Sequence, residues 1–122
     1  PTEIKETMQA VREKFPDKKI WLIYEPHMFT RTKYLFDDFV KVFKNLPSNQ
    51  IIIIDIYPSR EVDTGVVSSE QLADAVDKGS VAYVSNKDLK KIIDSETHPG
   101  DILFFMGAGD IDQIARNLVR QH

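Results

Sequence analysis

Ile20-Trp21-Leu22-Ile23-Tyr24-Glu25-Pro26-His27 is the stretch that decides how this chain folds. Its apolar part is too short for a helix and is uninterrupted rather than alternating, so it reads as a strand buried on both faces. Such a strand belongs in a parallel sheet with helices packed over each side. Similar short runs occur at Ile51-Ile52-Ile53-Ile54, Val81-Ala82-Tyr83-Val84 and Ile102-Leu103-Phe104-Phe105-Met106. The isoleucine run is richer in β-branched side chains than a helix favours, which makes it the candidate central strand.

Helical periodicity fills the intervals. Ile4, Met8, Val11 and Phe15 form one apolar face of a first helix that stops before Pro16. Leu35, Phe36, Phe39, Val40, Phe43 and Leu46 predict a second helix over residues 32–46, with Asp37 and Asp38 on its solvated side. Ser68, with Gln71 three positions on, resembles a capping box opening a third helix that runs to Val76. Asn86 is the expected N-cap of a fourth helix carrying Leu89, Ile92 and Ile93, stopped by His98-Pro99-Gly100-Asp101. A fifth follows residue 110, with Ile111, Ile114, Ala115, Leu118 and Val119 inward.

A helix followed by alternating strands and helices predicts an α/β fold: a mostly parallel sheet with helices on both faces and right-handed crossovers, a Rossmann-like three-layer sandwich. The length suits one domain over residues 1–122. Ligands of such sheets sit outside the carboxyl ends of the strands. Residues 25–32, 55–67, 85–86 and 107–110 are therefore the candidate loops. Residues 59–67 lack any period and contain Gly65, the pattern of a long surface loop, a type that often carries function.

Composition excludes several classes. With 42% hydrophobic and 29% charged residues the chain is neither disordered nor collagenous. A net charge of -3 gives no basic face for nucleic acid. No apolar run is long enough to span a bilayer, and residues 1–14 lack a signal-peptide core. The absence of cysteine removes disulfides and thiolate chemistry and fits a cytoplasmic protein. The chain starts at Pro1 and runs straight into helical pattern, as a fragment of a longer protein would.

Chemistry-bearing residues cluster in two of the loops. His27 and Arg31 can offer imidazole and guanidinium donors to a carboxylate or phosphate; equally, they can serve as a loop hydrogen bond and a surface ion pair. Gly107-Ala108-Gly109 lies between a strand and a helix, where backbone amides can approach an anion. A third glycine is missing, however, and Asp110 and Asp112 would repel a phosphate, which favours a structural turn. No G-x-x-x-x-G-K-[ST] motif is present, so independent ATP hydrolysis is not expected. His27, His98 and His122 are too scattered for a metal site, and none is expected.

Tyr24-Glu25-Pro26-His27-Met28-Phe29-Thr30-Arg31-Thr32 followed by Leu35-Phe36-Asp37-Asp38-Phe39 resembles the Q-P-H-R-[YF]-[ST]-R-T…L-F-D-D-F block of UDP-N-acetylmuramate:L-alanine ligases, members of the Mur ligase family. Pro1-Thr2-Glu3-Ile4, Asp55-Ile56-Tyr57-Pro58 with Ser68-Ser69-Glu70, and Met106-Gly107-Ala108-Gly109-Asp110-Ile111 resemble the same family in the same order. The resemblance implies the C-terminal of three domains. The N-terminal one grips the UDP-sugar, and the central one holds most of the ATP and its Mg2+. Neither ATP nor Mg2+ is expected on this chain alone, which is expected to be inactive by itself.

The implied reaction phosphorylates the carboxylate of UDP-N-acetylmuramate with ATP; L-alanine then attacks the acyl phosphate, in the bacterial cytoplasm. The resemblance assigns substrate binding to His27, Thr30 and Arg31, with Glu25, Met28, Tyr57, Gly107 and Gly109 lining the site. The family's glutamine is replaced by Glu25 and its first arginine by Met28, a change of charge beside the site. Expected partners are the two nucleotide substrates, L-alanine and the ligase's own central and N-terminal domains, with no nucleic acid and no membrane. Two other readings compete: the same domain of a murein peptide ligase, and a free-standing α/β binding module.

Overall fold

A computed structural model describes residues 1–107 and 109–120; Ala108, His122 and the side chain of Val119 lie outside the described residues. The elements run α1 (Thr2–Lys14), β1 (Ile20–Tyr24), α2 (Phe29–Tyr34), α3 (Phe36–Lys44), β2 (Gln50–Ile53), α4 (Ser69–Val76), β3 (Val81–Tyr83), α5 (Leu89–Glu96), β4 (Ile102–Met106) and α6 (Ile111–Arg120). The four strands form one sheet in the order β3-β2-β1-β4, and every neighbouring pair is parallel. The isoleucine run and the opening tryptophan run are thus the two interior strands.

Alternation along β1 explains the layers. Ile20 and Leu22 face one core with Ile51, Ile53 and Val81, closed by Ile4 and Met8 of α1, Phe39 and Phe43 of α3, and Leu72 and Val76 of α4. Trp21 and Ile23 face a second core with Ile52 and Ile54, closed by Leu89 and Ile93 of α5 and by Ile111 and Leu118 of α6. A strand flanked this way has no polar face, hence its unbroken apolar run. β4 carries the same composition but sits at the edge, and each of its residues stays half-exposed. No described helix is long and apolar enough to cross a membrane.

Two local expectations are corrected. The helix expected over 32–46 is broken in two at Leu35, whose backbone leaves the helical range at φ -100°, ψ 15°. Its first piece begins earlier than expected, at Phe29, because a carboxylate from elsewhere in the chain caps it. Asn86 does not cap α5. Its side-chain oxygen accepts from the Asp55 N–H (3.2 Å), and its own N–H donates to Asp55 Oδ2 (3.0 Å), so it ties the end of β3 to that of β2. The Ser68–Gln71 capping box is present in both directions.

The first core is the more aromatic. Phe43, 1% exposed, lies edge-on to Tyr24 at 5.4 Å and parallel to Phe39 at 6.2 Å between centroids. Truncating it removes both contacts and opens a cavity under β1. Phe43→Ala is expected to cost about 3–5 kcal/mol in denaturant unfolding, against about 0.5 kcal/mol or less for Asp37→Ala on the exposed face of the same helix.

Candidate functional site

The strand order places the switch point between β1 and β4: the chain winds outward from β1 through β2 to β3, then returns to the other side of β1. The carboxyl ends flanking such a point form a natural crevice. A cavity of about 620 Å³ opens there, lined by Tyr24, Glu25, His27 and Arg31 from β1 and its exit, Phe104–Gly107 from β4, and Glu3 and Thr7 from α1. Two other depressions are more apolar: one of about 610 Å³ between α5, β4 and α6, and a larger one of about 790 Å³ between α2 and the loop after β2, lined by Phe29, Tyr34 and Val62.

The exit of β1 is held on both sides. Glu25 N–H donates to the Met106 carbonyl (2.9 Å); on the other flank Tyr57 N–H donates to Pro26 O and Met28 N–H to Tyr57 O, each at 2.8 Å. Residues 26–28 therefore continue the parallel pairing past the named strands, and His27 stands opposite Tyr57 in an isolated bridge. Their rings stack at 5.8 Å and 14°. Gly109 packs against the same tyrosine ring, where a Cβ would come within 2.5 Å of three ring carbons.

Glu25 is the least expected member. It is 1% exposed, and its Oε1 accepts the Gly109 N–H (2.9 Å). A Cβ on Gly107 would come within 2.8 Å of both Glu25 Cβ and Ile111 Cγ2, so that glycine is needed for the close approach. Burial pushes the Glu25 carboxyl above its ordinary value, opposed by the backbone amides of Gly109 and Ile111. The anion held by the glycine turn is thus the protein's own carboxylate, at the start of α6. The extra charge anticipated from Glu25 is directed into this turn.

Arg31 is different. It is exposed, lines the cavity and makes no ion pair among the described residues. The side chain of His27 accepts and donates no hydrogen bond among them; its ring contact is the stack on Tyr57. Burial pushes the Tyr24 hydroxyl up to about 12, with Arg31 pulling in the opposite direction. Thr30 turns away: its hydroxyl donates to a carboxylate oxygen of Glu61. Met28 occupies the turn itself, at φ 66°, ψ 141°, a conformation that costs a side-chain-bearing residue roughly 1–3 kcal/mol. Glu3 and Tyr24 stand in segments that resemble the family but were assigned no part in the site; the fold brings both to the cavity.

The glycine turn is filled by Glu25. Among the described residues no group of three or more His, Cys, Asp or Glu could hold a metal ion.

A family model for the Mur ligase, glutamate ligase domain, matches residues 1–109. The chain belongs to the Mur ligase family. It is 42% identical over 114 residues to the UDP-N-acetylmuramate–L-alanine ligase of Clostridium tetani, covering 91% of this chain and 24% of that one. It is 36% identical over 124 residues to the ligase of the same name from Aquifex aeolicus, covering 99% of this chain and 26% of the relative. The chain thus spans about a quarter of the length of these relatives. Among solved structures, the murein peptide ligase of Psychrobacter arcticus 273-4 matches with a TM-score of 0.66 at 21% identity, over 98% of this chain and 25% of that one. At that identity the likeness shows the fold.

The buried carboxylate gives a pH prediction. A carboxyl whose folded pKa lies above the unfolded value of 4.5 binds its proton more tightly in the folded state, so stability falls as pH rises through that interval. Glu25→Gln keeps an oxygen for Gly109 and removes the charge. It is expected to raise the thermal midpoint at pH 7 and leave it unchanged below the unfolded pKa. A lower midpoint at pH 7 would show that the charge itself holds the turn.

Proposed function

We propose that this chain is the C-terminal, amino-acid-receiving domain of a UDP-N-acetylmuramate:L-alanine ligase. The observation that carries the reading is that Arg31, whose guanidinium makes no ion pair among the described residues, and the His27 imidazole line the same switch-point cavity. That arrangement suits a small zwitterion: its carboxylate takes the two parallel N–H donors of the guanidinium, and its amine is left pointing toward the reacting partner. Relatives of this name at about 40% identity support the choice of L-alanine.

In this scheme the chain acts in the second half of the reaction. The amine of L-alanine attacks the carbonyl carbon of the acyl phosphate, a C–N bond forms, the C–O bond to phosphate breaks, and inorganic phosphate and a proton are released. Arg31 supplies orientation, holding the nucleophile in line so that a bimolecular attack becomes effectively unimolecular. His27, fixed against Tyr57, forms the adjoining wall. ATP and Mg2+ belong mainly to the central domain and UDP-N-acetylmuramate to the N-terminal one, so the 122-residue chain alone turns over no ATP. Both nucleotide substrates place the reaction in the bacterial cytoplasm.

The test is L-alanine-dependent phosphate release by the full-length ligase containing this chain, with UDP-N-acetylmuramate and ATP. Arg31→Ala is expected to lower kcat/KM for L-alanine roughly 10- to 100-fold, mostly through KM, and Arg31→Lys should recover only part of it. Turnover with a peptide in place of L-alanine would move the assignment to a murein peptide ligase. Unchanged kinetics in Arg31→Ala would remove the residue from the site.

A further inference from the structure

The residues that face the cavity are held by one that does not. α2 is a short helix whose N-cap, Met28, has no side-chain oxygen to offer its first amides. Those amides are satisfied from 32 positions away: Glu61 Oε1 accepts from Phe29 N–H (2.6 Å) and Thr30 N–H (3.2 Å), and Oε2 accepts the Thr30 hydroxyl. The far side of the turn is fixed as well. Fully buried Thr32 donates both its amide (3.1 Å) and its hydroxyl (2.7 Å) to the Met28 carbonyl.

Glu61 is itself anchored, its N–H donating to the Pro58 carbonyl at 2.9 Å, beside Tyr57. One short segment, residues 57–61, thus stacks on His27 at one end and caps the helix carrying Arg31 at the other. Together with the Met28–Tyr57 hydrogen bond, this over-determines the positive-φ conformation of Met28, which a freely hinged loop would relax. Glu61 is absent from the lining of that cavity and so does not touch what the cavity holds; its hydrogen bonds go to α2, and its charge also acts on His27.

We propose that Glu61 is a positioning residue for the amino-acid site: by capping α2 from the loop after β2, it fixes the start of that helix and so aims Arg31 into the cavity. The proposal rests on the amino-acid-site reading above and adds a residue to it. The Glu61 carboxyl is held below its ordinary value, first by the Thr30 hydroxyl and then by the two backbone amides, as a carboxylate engaged by these donors should be. Glu61→Gln keeps an oxygen for the amides and is the conservative variant; Glu61→Ala abolishes the cap.

The experiment has two arms. In the 122-residue chain, amide hydrogen exchange at Phe29 and Thr30 is expected to accelerate about tenfold or more in Glu61→Ala and much less in Glu61→Gln. Unchanged exchange in Glu61→Ala overturns the clasp whatever the enzyme does. In the full-length ligase, Glu61→Ala is expected to raise KM for the amino acid about tenfold, with KM for ATP within about twofold, and Glu61→Gln to recover most of the loss. The decisive comparison is a double-mutant cycle with Arg31→Ala. If Glu61 acts by aiming Arg31, its removal has little further effect on amino-acid KM once the guanidinium is gone. An equal effect in both backgrounds means general destabilisation and overturns the proposal. A full-length enzyme that takes no L-alanine would count against the ligase reading, and the exchange arm would still decide the clasp.

Discussion

The short extended segment leaving β1 is paired on both flanks at once, and the site depends on that constraint. On one side Glu25 bonds the end of β4; on the other, Pro26 and Met28 bond Tyr57 beyond β2. An interior strand of a parallel sheet has two neighbours to pair with, and here the pairing outlasts the regular strand by several residues. Side chains on a loop would ordinarily sample many positions. Those at 25 and 27 inherit the rigidity of the sheet, and Arg31 follows on a helix capped from the same side.

The charges around this segment are sorted by burial. Glu25 is turned inward and engaged by the amides of the β4–α6 turn. Arg31 stays exposed at the cavity mouth. In the proposed reading, the exposed guanidinium is the group left to meet a small carboxylate.

Much of the architecture was legible because it rests on local pattern. Uninterrupted apolar runs mark strands buried on both faces, and the Ser68–Gln71 pair marks a helix start through chemistry contained in four residues. β4 shows the limit of such pattern: its composition matches β1, yet it lies at the edge, because strand order is set by crossovers that no local window records. Asn86 looked like an N-cap and instead bonds Asp55, 31 residues earlier. His27 and Arg31 are singled out by the strand-end position and the family resemblance, and the structure sets both in the lining of one cavity. Tyr57 is singled out by the family resemblance, whereas its stacking on His27 and the Glu61 cap on α2 join residues about 30 positions apart and leave no trace in adjacent sequence.

The most direct test of the account is a crystal structure of the full-length ligase with its amino-acid substrate bound. The account predicts the amino-acid carboxylate on the Arg31 guanidinium, in the cavity between the ends of β1 and β4, with the His27–Tyr57 stack intact beside it. A carboxylate held wholly by residues of the other domains, with Arg31 turned to solvent, would contradict it.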